Sequence, residues 1–175
     1  MNFDTKPHFF PRIIQIAALD EDNGIGKDGR IPWHIPEEQD YFRHQTEGHV
    51  LIFGRLTYQS LGRATLPNRR LVVLSHHVPA EATSLTDDGV HTPVCWCDSI
   101  ERALTIAGKT EELVYIGGGT ALYEACMPFT DELLLSRIRG RYACDTFYPS
   151  IPQIMELKAT RVFPKFTVHQ YIRRA

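Results

Sequence analysis

Four short, unbroken apolar runs constrain this chain most: Val50-Leu51-Ile52-Phe53, Leu71-Val72-Val73-Leu74, Leu113-Val114-Tyr115-Ile116 and Leu133-Leu134-Leu135. A strand with one face in water alternates apolar and polar residues, and these runs do not. Each reads as a strand buried on both faces, which requires helices above and below a mostly parallel sheet. Ile13 to Leu19, interrupted only by Gln15, is a fifth candidate. The tail is different. Phe166, Val168, Gln170 and Ile172 alternate with Thr167, His169, Tyr171 and Arg173, the period of an antiparallel strand, here expected to close the sheet.

Helices fit between the runs. Pro36 suits a first helical turn, with Glu37 and Glu38 at the positive end of the dipole, and Gly48 closes a helix running to about Glu47. Asp98, three residues before Glu101, reads as the cap of a helix ending at Gly108. Thr120 to Met127 reads as a helix stopped by Pro128. The expected fold is therefore a single α/β domain, a mostly parallel central sheet with an antiparallel C-terminal strand and helices on both faces. At 175 residues and 43% hydrophobic content, one core accounts for residues 12–175, with 1–11 as a loose N-terminal extension.

Charge and cysteine usage exclude several functions. The net charge of −2 and the absence of an Arg/Lys block argue against a nucleic-acid or anionic-membrane partner. Ile13–Leu19 is too short and too polar to span a bilayer. Cys95 and Cys97 flank Trp96 in a strand and point to one face, poorly placed to bridge each other. Cys126 and Cys144 bring no metal-ligand spacing, so no metal site is expected. Reduced thiols in a cytoplasmic monomer are the expectation.

Ligands of open α/β sheets bind at the carboxyl ends of strands. Gly117-Gly118-Gly119 lies between the run ending at Ile116 and the helix opening at Thr120. Such a turn lets a ligand approach the backbone, and a helix N-terminus favours an anion. Leu122 stands where a dinucleotide fingerprint would place its third glycine, and no P-loop lysine follows. Gly54-Arg55-Leu56-Thr57 and Ser75-His76-His77 occupy two more strand ends. Asn23-Gly24 and Asp28-Gly29 are turn signals of a mobile loop, followed by Trp33, Pro36 and Glu38. Glu38 sits among Trp33, Ile35 and Phe42, where apolar surroundings suit a carboxyl to proton chemistry near neutral pH. Taken one at a time, these features also fit plainer roles: a tight turn, a solvated arginine, a surface glutamate at a helix dipole.

Together they resemble a known family. Ile16-Ala17-Ala18-Leu19, Ile25-Gly26, Ile31-Pro32-Trp33 with Pro36 and Glu38, Gly54-Arg55 with Thr57, Ser60-Leu61-Gly62, Leu66-Pro67-Asn68-Arg69, Ile116 to Gly119 with Leu122-Tyr123, Ser136, and Asp145-Thr146 before Tyr148-Pro149 follow the order and spacing of dihydrofolate reductase, from about Arg12 to Arg173. The resemblance implies reduction of 7,8-dihydrofolate to tetrahydrofolate by hydride transfer from NADPH to C6 of the pterin, in support of one-carbon and thymidylate metabolism. It implies catalytic roles for Glu38, Trp33 and Ser136, with Glu38 bonding the pterin's N3 and 2-amino group and favouring protonation at N5. Ile16, Ala18, Gln39, Phe42, Leu61, Leu66 and Ile116 would line the substrate, and Arg69 would pair with the α-carboxylate of its glutamate tail. The cofactor would lie against Ala18, Ile25, Gly26, Gly54, Arg55, Leu56, Thr57, Leu74, Ser75 and His76. It would continue along Ile116, Gly117, Gly118, Gly119, Thr120, Ala121, Leu122 and Tyr123, and reach Thr146.

The chain departs from the family's commonest pattern in places. Gln39 replaces an apolar residue, His76 a small or cationic one, and Cys144 a glycine. Arg63-Ala64-Thr65 lengthens the segment before Leu66, one extra residue separates the glycine turn from Tyr123, and the hairpin at Phe163-Pro164-Lys165 is short. The Glu38-Gln39 pair resembles that of some plasmid-borne, trimethoprim-insensitive reductases, which implies reduced sensitivity to that antifolate. Two rivals are the reductase domain of riboflavin synthesis and a non-catalytic pterin- or nucleotide-binding protein. Trp33, Glu38 and Arg69 argue against the first, and the retained Glu38, Ser136 and loop glycines against the second.

Overall fold

A computed structural model of the chain describes residues 11–61, 66–79, 93–109 and 112–175. Residues 1–10, Gly62 of the Ser60-Leu61-Gly62 motif, and Arg63-Ala64-Thr65 lie outside the described residues.

The apolar runs all form strands. In chain order the elements are β1 (Arg12–Leu19), β2 (Gly24–Gly26), α1 (Pro36–Thr46), β3 (Val50–Gly54), α2 (Arg55–Ser60), β4 (Arg70–Leu74), β5 (Val94–Cys97), α3 (Ile100–Gly108), β6 (Leu113–Ile116), α4 (Thr120–Cys126), β7 (Glu132–Ile138), β8 (Thr146–Phe147), β9 (Met155–Val162) and β10 (Phe166–Arg173). The main sheet has eight strands in the order β5-β4-β3-β6-β1-β7-β10-β9. From β5 to β7 every pairing is parallel; β7–β10 and β10–β9 are antiparallel. A small sheet pairs β2 with β8.

Burial on both faces is visible within β1. Ile13, Ala17 and Leu19 join a core with Ala103, Leu104 and Ala107 of α3 and Leu122 and Tyr123 of α4. Ile14 and Ile16 join a second core with Tyr41 and Phe42 of α1 and Tyr58 of α2. Each fully buried Leu or Ile contributes about 1.5–3 kcal/mol. No helix among the described residues is long and apolar enough to cross a membrane. Gln15 is the polar residue in the interior of this strand, and it is fully buried. Its amide donates to Tyr123 O and Thr130 Oγ1, both at 2.9 Å, and its oxygen accepts from Tyr148 Oη at 2.6 Å. A buried amide tolerates this position because its partners are met.

Three details differ from the sequence-based expectations. The cap of α3 is Ser99, which accepts from the Arg102 N–H at 3.3 Å, while Asp98 pairs with the Arg102 guanidinium at 3.1 Å. Helix α4 stops at Cys126, one residue before the expected end, and Pro128 follows it inside a 3₁₀ turn over Met127–Phe129. The tail strand β10 is not the sheet's edge, because β9 lies outside it. The helix ends and turns otherwise follow their signals. Pro36 opens α1, which ends at Thr46 with Glu47 as its cap, and Gly48 adopts φ +82°. Asn23 (φ 63°), Asp28 (φ 49°) and Gly29 (φ 72°) turn the segment before Trp33.

Candidate active site

Because the central strands are parallel, their carboxyl ends share one edge of the sheet. There the ends of β3 and β6 meet: the Gly54 N–H donates to Gly118 O at 2.7 Å, and the Gly117 N–H to Ile52 O at 2.9 Å. A Cβ on Gly117 would lie 2.4 Å from the Phe53 ring. Gly118 adopts φ +114°, and a Cβ there would meet Tyr123 Oη at 3.2 Å. The glycines therefore make a bare backbone platform. Helices α2 and α4 start on it with Gly54 and Gly119 as caps, neither supplying a side-chain bond to the first-turn N–H groups. Arg55 stands exposed on the rim with Gln59 Oε1 at 3.0 Å, and Thr57 Oγ1 lies where a Cβ on Gly119 would meet it at 3.1 Å.

Other residues expected around a cofactor spread outward from this platform. Ile116 is buried beneath it, and Leu122 and Tyr123 lie in the core, where Tyr123 Oη donates to Ile16 O at 2.7 Å. Thr120 Oγ1 donates to Phe147 O at 2.7 Å; Ala121 and Leu56 are exposed. Leu74 is half-buried at the end of β4, and His76 is exposed. Ser75 is buried, and its hydroxyl is engaged locally, donating to His77 O at 2.9 Å and accepting from the His77 N–H at 3.1 Å. Ile25 packs against the core, and Gly26 lies against Thr146, whose Oγ1 a Cβ on Gly26 would meet at 2.8 Å.

The acid lies across the same edge. Glu38 projects from the first turn of α1, after buried Trp33 and Ile35. Burial pushes its carboxyl up to about 6, against the opposing effect of a hydrogen bond from Ser136. Ser136 is on β7 beside half-buried Ala18 of β1. Such a carboxyl exchanges a proton close to neutral pH. Phe42, Leu61 and Leu66 are half-buried and pack with Ile16 and Leu51. Gln39 is exposed, its Nε2 3.4 Å from His34 Nδ1.

At the other end of α1 is Arg69, only 4% exposed. Its guanidinium donates to two neutral acceptors, Pro67 O at 3.1 Å and Thr46 Oγ1 at 3.2 Å. Burial lowers its pKa and the nearby Glu47 opposes that effect. A buried cation held by neutral groups is suited to an incoming carboxylate. Among the described residues no group of three or more His, Cys, Asp or Glu side chains is placed to hold a metal ion.

The family model described as dihydrofolate reductase matches residues 12–171. The chain belongs to the dihydrofolate reductase family. It is 37% identical to the dihydrofolate reductase of Haemophilus influenzae over 136 residues, covering 78% of each chain. It is 39% identical to the type 3 dihydrofolate reductase of Salmonella typhimurium over 137 residues, again 78% of each. The structure of dihydrofolate reductase from Enterococcus faecalis complexed with NADP(H) and RAB-propyl superposes with a TM-score of 0.79 at 31% identity, covering 94% of this chain and 97% of that one. Within this dihydrofolate reductase fold, two supporting residues belong to no sequence motif. Thr46 holds Arg69 and also donates to Phe42 O at 2.9 Å, a helical i−4 bond whose only sequence signal is a threonine one turn after Phe42. Tyr142 packs edge-on against Trp33, ring centroids 5.2 Å apart, from a loop far along the chain.

Proposed function

We propose that this cleft reduces 7,8-dihydrofolate to tetrahydrofolate with Glu38 as its proton-handling carboxyl, held by Ser136 and screened by Trp33. The observation that carries the assignment is the burial of Glu38 beside Ser136 at the carboxyl ends of the parallel strands, which pushes its carboxyl up to about 6. The bare glycine platform fits a dinucleotide. Gly54, Gly117, Gly118 and Gly119 would let a diphosphate reach the backbone, with Arg55 and Thr57 at its phosphates. NADPH, when bound, supplies the hydride that goes to C6 of the pterin.

The chain's own groups do the rest. Glu38 accepts from the pterin's N3 and 2-amino group, and its charge favours a proton at N5 of the substrate. Ser136 fixes the carboxylate's orientation. Ile16, Phe42, Leu61 and Leu66 seat the flat rings and the benzoyl group, and Arg69 pairs with the tail's α-carboxylate. The segment from Asn23 to Arg30 covers the reacting rings and excludes water. Gln39 beside Glu38 presents a polar amide where trimethoprim would rest and lowers sensitivity to it. We further infer a monomer working in the cytoplasm with Cys95, Cys97, Cys126 and Cys144 reduced; all four are free thiols.

The test is NADPH oxidation followed spectrophotometrically with and without dihydrofolate, for wild type and Arg55→Ala. Turnover should require dihydrofolate, and the variant should bind NADPH roughly 10- to 150-fold more weakly, the loss of one charge-assisted hydrogen bond. Tight NADPH binding without turnover would refute the enzymatic assignment, and an unchanged NADPH dissociation constant for Arg55→Ala the phosphate contact.

A further inference from the structure

Asp20 is a buried carboxylate that the reaction leaves without direct work. It follows β1 and is 1% exposed. Its Oδ1 accepts from the N–H groups of Asp22 at 2.9 Å and Gly24 at 2.8 Å. Its Oδ2 accepts from the Tyr142 N–H at 3.0 Å and from Cys144 Sγ at 3.5 Å. One oxygen thus serves the segment leading into β2, and the other serves a loop more than a hundred residues later. Ala143, between the two later donors, adopts φ 51°, uncommon for alanine, which brings both neighbours to the same oxygen. Burial pushes the Asp20 carboxyl up, but the bonds from Tyr142, Gly24, Asp22 and Cys144 outweigh it and hold it below the usual carboxylate value.

The two segments are also packed directly together. A Cβ on Gly24 would lie 2.3 Å from Cys144 Cβ and 2.5 Å from its Sγ. Arg141 reaches Glu21 and Asp22 at 3.8 and 3.6 Å, but these are exposed pairs and hold little. What Asp20 holds leads in two directions. Gly24 begins β2, whose Gly26 pairs with Thr146. Tyr142 leads to the Trp33 ring.

We propose that Asp20 is a positioning residue for hydride transfer: by accepting from Asp22 and Gly24 on one side and from Tyr142 and Cys144 on the other, its carboxylate sets the placement of Gly24–Gly26 and Trp33 around the reacting rings. The proposal rests on the dihydrofolate reductase assignment above. Only an ionised carboxylate is acceptor at both oxygens. Asparagine has the same shape but turns an NH₂ toward one pair of donors. Serine can keep the local turn to Asp22 and Gly24 and is too short to reach Tyr142.

The test is single-turnover hydride transfer with NADPH pre-bound, measured for wild type, Asp20→Asn and Asp20→Ser well below each protein's melting midpoint. Both variants should transfer hydride about tenfold more slowly or worse, as small misplacements of reacting groups do. Their dissociation constants for NADPH and dihydrofolate should stay within about threefold of wild type, since the binding contacts persist. A merely structural Asp20 would lower the melting midpoint and leave the bound-state rate within about twofold, and that result overturns the proposal. So does a slower rate explained by equally weakened ligand binding. If Asp20→Asn does not fold, Asp20→Ser alone decides, because its local turn is intact. A wild-type protein that fails to turn over dihydrofolate overturns the underlying assignment and this proposal together, whereas unchanged variants beside an active wild type overturn this proposal alone.

Discussion

Replacing Glu38 with glutamine should make the enzyme more stable and far less active, and pH separates the two effects. The carboxyl's pKa is raised from 4.5 to about 6 by burial. A raised carboxyl means the folded chain binds the proton more tightly than the unfolded chain. Its stabilising effect is complete below about pH 4.5 and is lost as pH rises through about 6. A shift of about 1.5 units at 1.36 kcal/mol each makes the ionised carboxylate cost about 2 kcal/mol of folding free energy at neutral pH. Glutamine keeps the shape and cannot ionise, so Glu38→Gln recovers that amount. For a domain of this size it corresponds to about 4–8 °C in Tm. Thermal unfolding of the ligand-free proteins should give matching Tm values near pH 4.5 and a gap that opens through pH 6 to a plateau above about pH 7. In the same preparations, hydride transfer at neutral pH should fall by roughly 10²–10⁴-fold, partly recovering in acid as the substrate is protonated directly. A variant no more stable than wild type at neutral pH, or a gap that ignores pH, would refute the account of a sheltered, strained carboxylate; near-normal turnover would place the acid elsewhere.

Two further outcomes follow from the substrate side. Arg69→Leu should weaken dihydrofolate binding roughly 10- to 150-fold, the scale of a charge-assisted bond, while fluorescence titration shows NADPH affinity unchanged; parallel losses for both ligands would mean the variant has disturbed the fold instead. Gln39→Leu should lower the trimethoprim inhibition constant by roughly 5- to 150-fold with a clearly smaller change in dihydrofolate KM, because the drug's ring no longer strips water from an amide; inhibition and KM that move together would remove Gln39 as a selectivity element.

The parallel strands were legible because burial on both faces leaves no polar positions to interrupt an apolar run, as in Val50 to Phe53. Strand β9 was not legible in the residue pattern, for the complementary reason, and entered only through the family's hairpin at Phe163-Pro164-Lys165. After Met155 every residue through Val162 is exposed, and the strand is held by main-chain bonds to β10 that side-chain chemistry does not encode. Asp98 and Ser99 are both good caps; the choice rests on which oxygen reaches the Arg102 N–H, a matter of geometry. In the site, the glycine turn and Glu38 stood out because their positions relative to strand and helix ends are local facts. Thr46, Tyr142 and Asp20 did not. Their importance lies in partners 23, 109 and 122 residues away, at Arg69, Trp33 and Tyr142. Ser75 adds a local case: its hydroxyl closes a turn on His77, a bond that its place at a strand end does not foretell.

The amide of Gln15 carries a consequence for how this sequence can change. Its three partners come from α4, from Thr130 after the 3₁₀ turn and from Tyr148 past β8. Leucine at position 15 would leave the Tyr148 hydroxyl facing an apolar wall, and phenylalanine at 148 would leave the amide oxygen bare. Neither step is favourable alone, although an all-apolar version could pack as well as the polar one. Positions 15 and 148, distant in the chain, are therefore coupled in how they vary, and a change at both must also meet Tyr123 O and Thr130 Oγ1, the acceptors of the amide. A library that randomises them one at a time would score each as immovable and miss the combination that works.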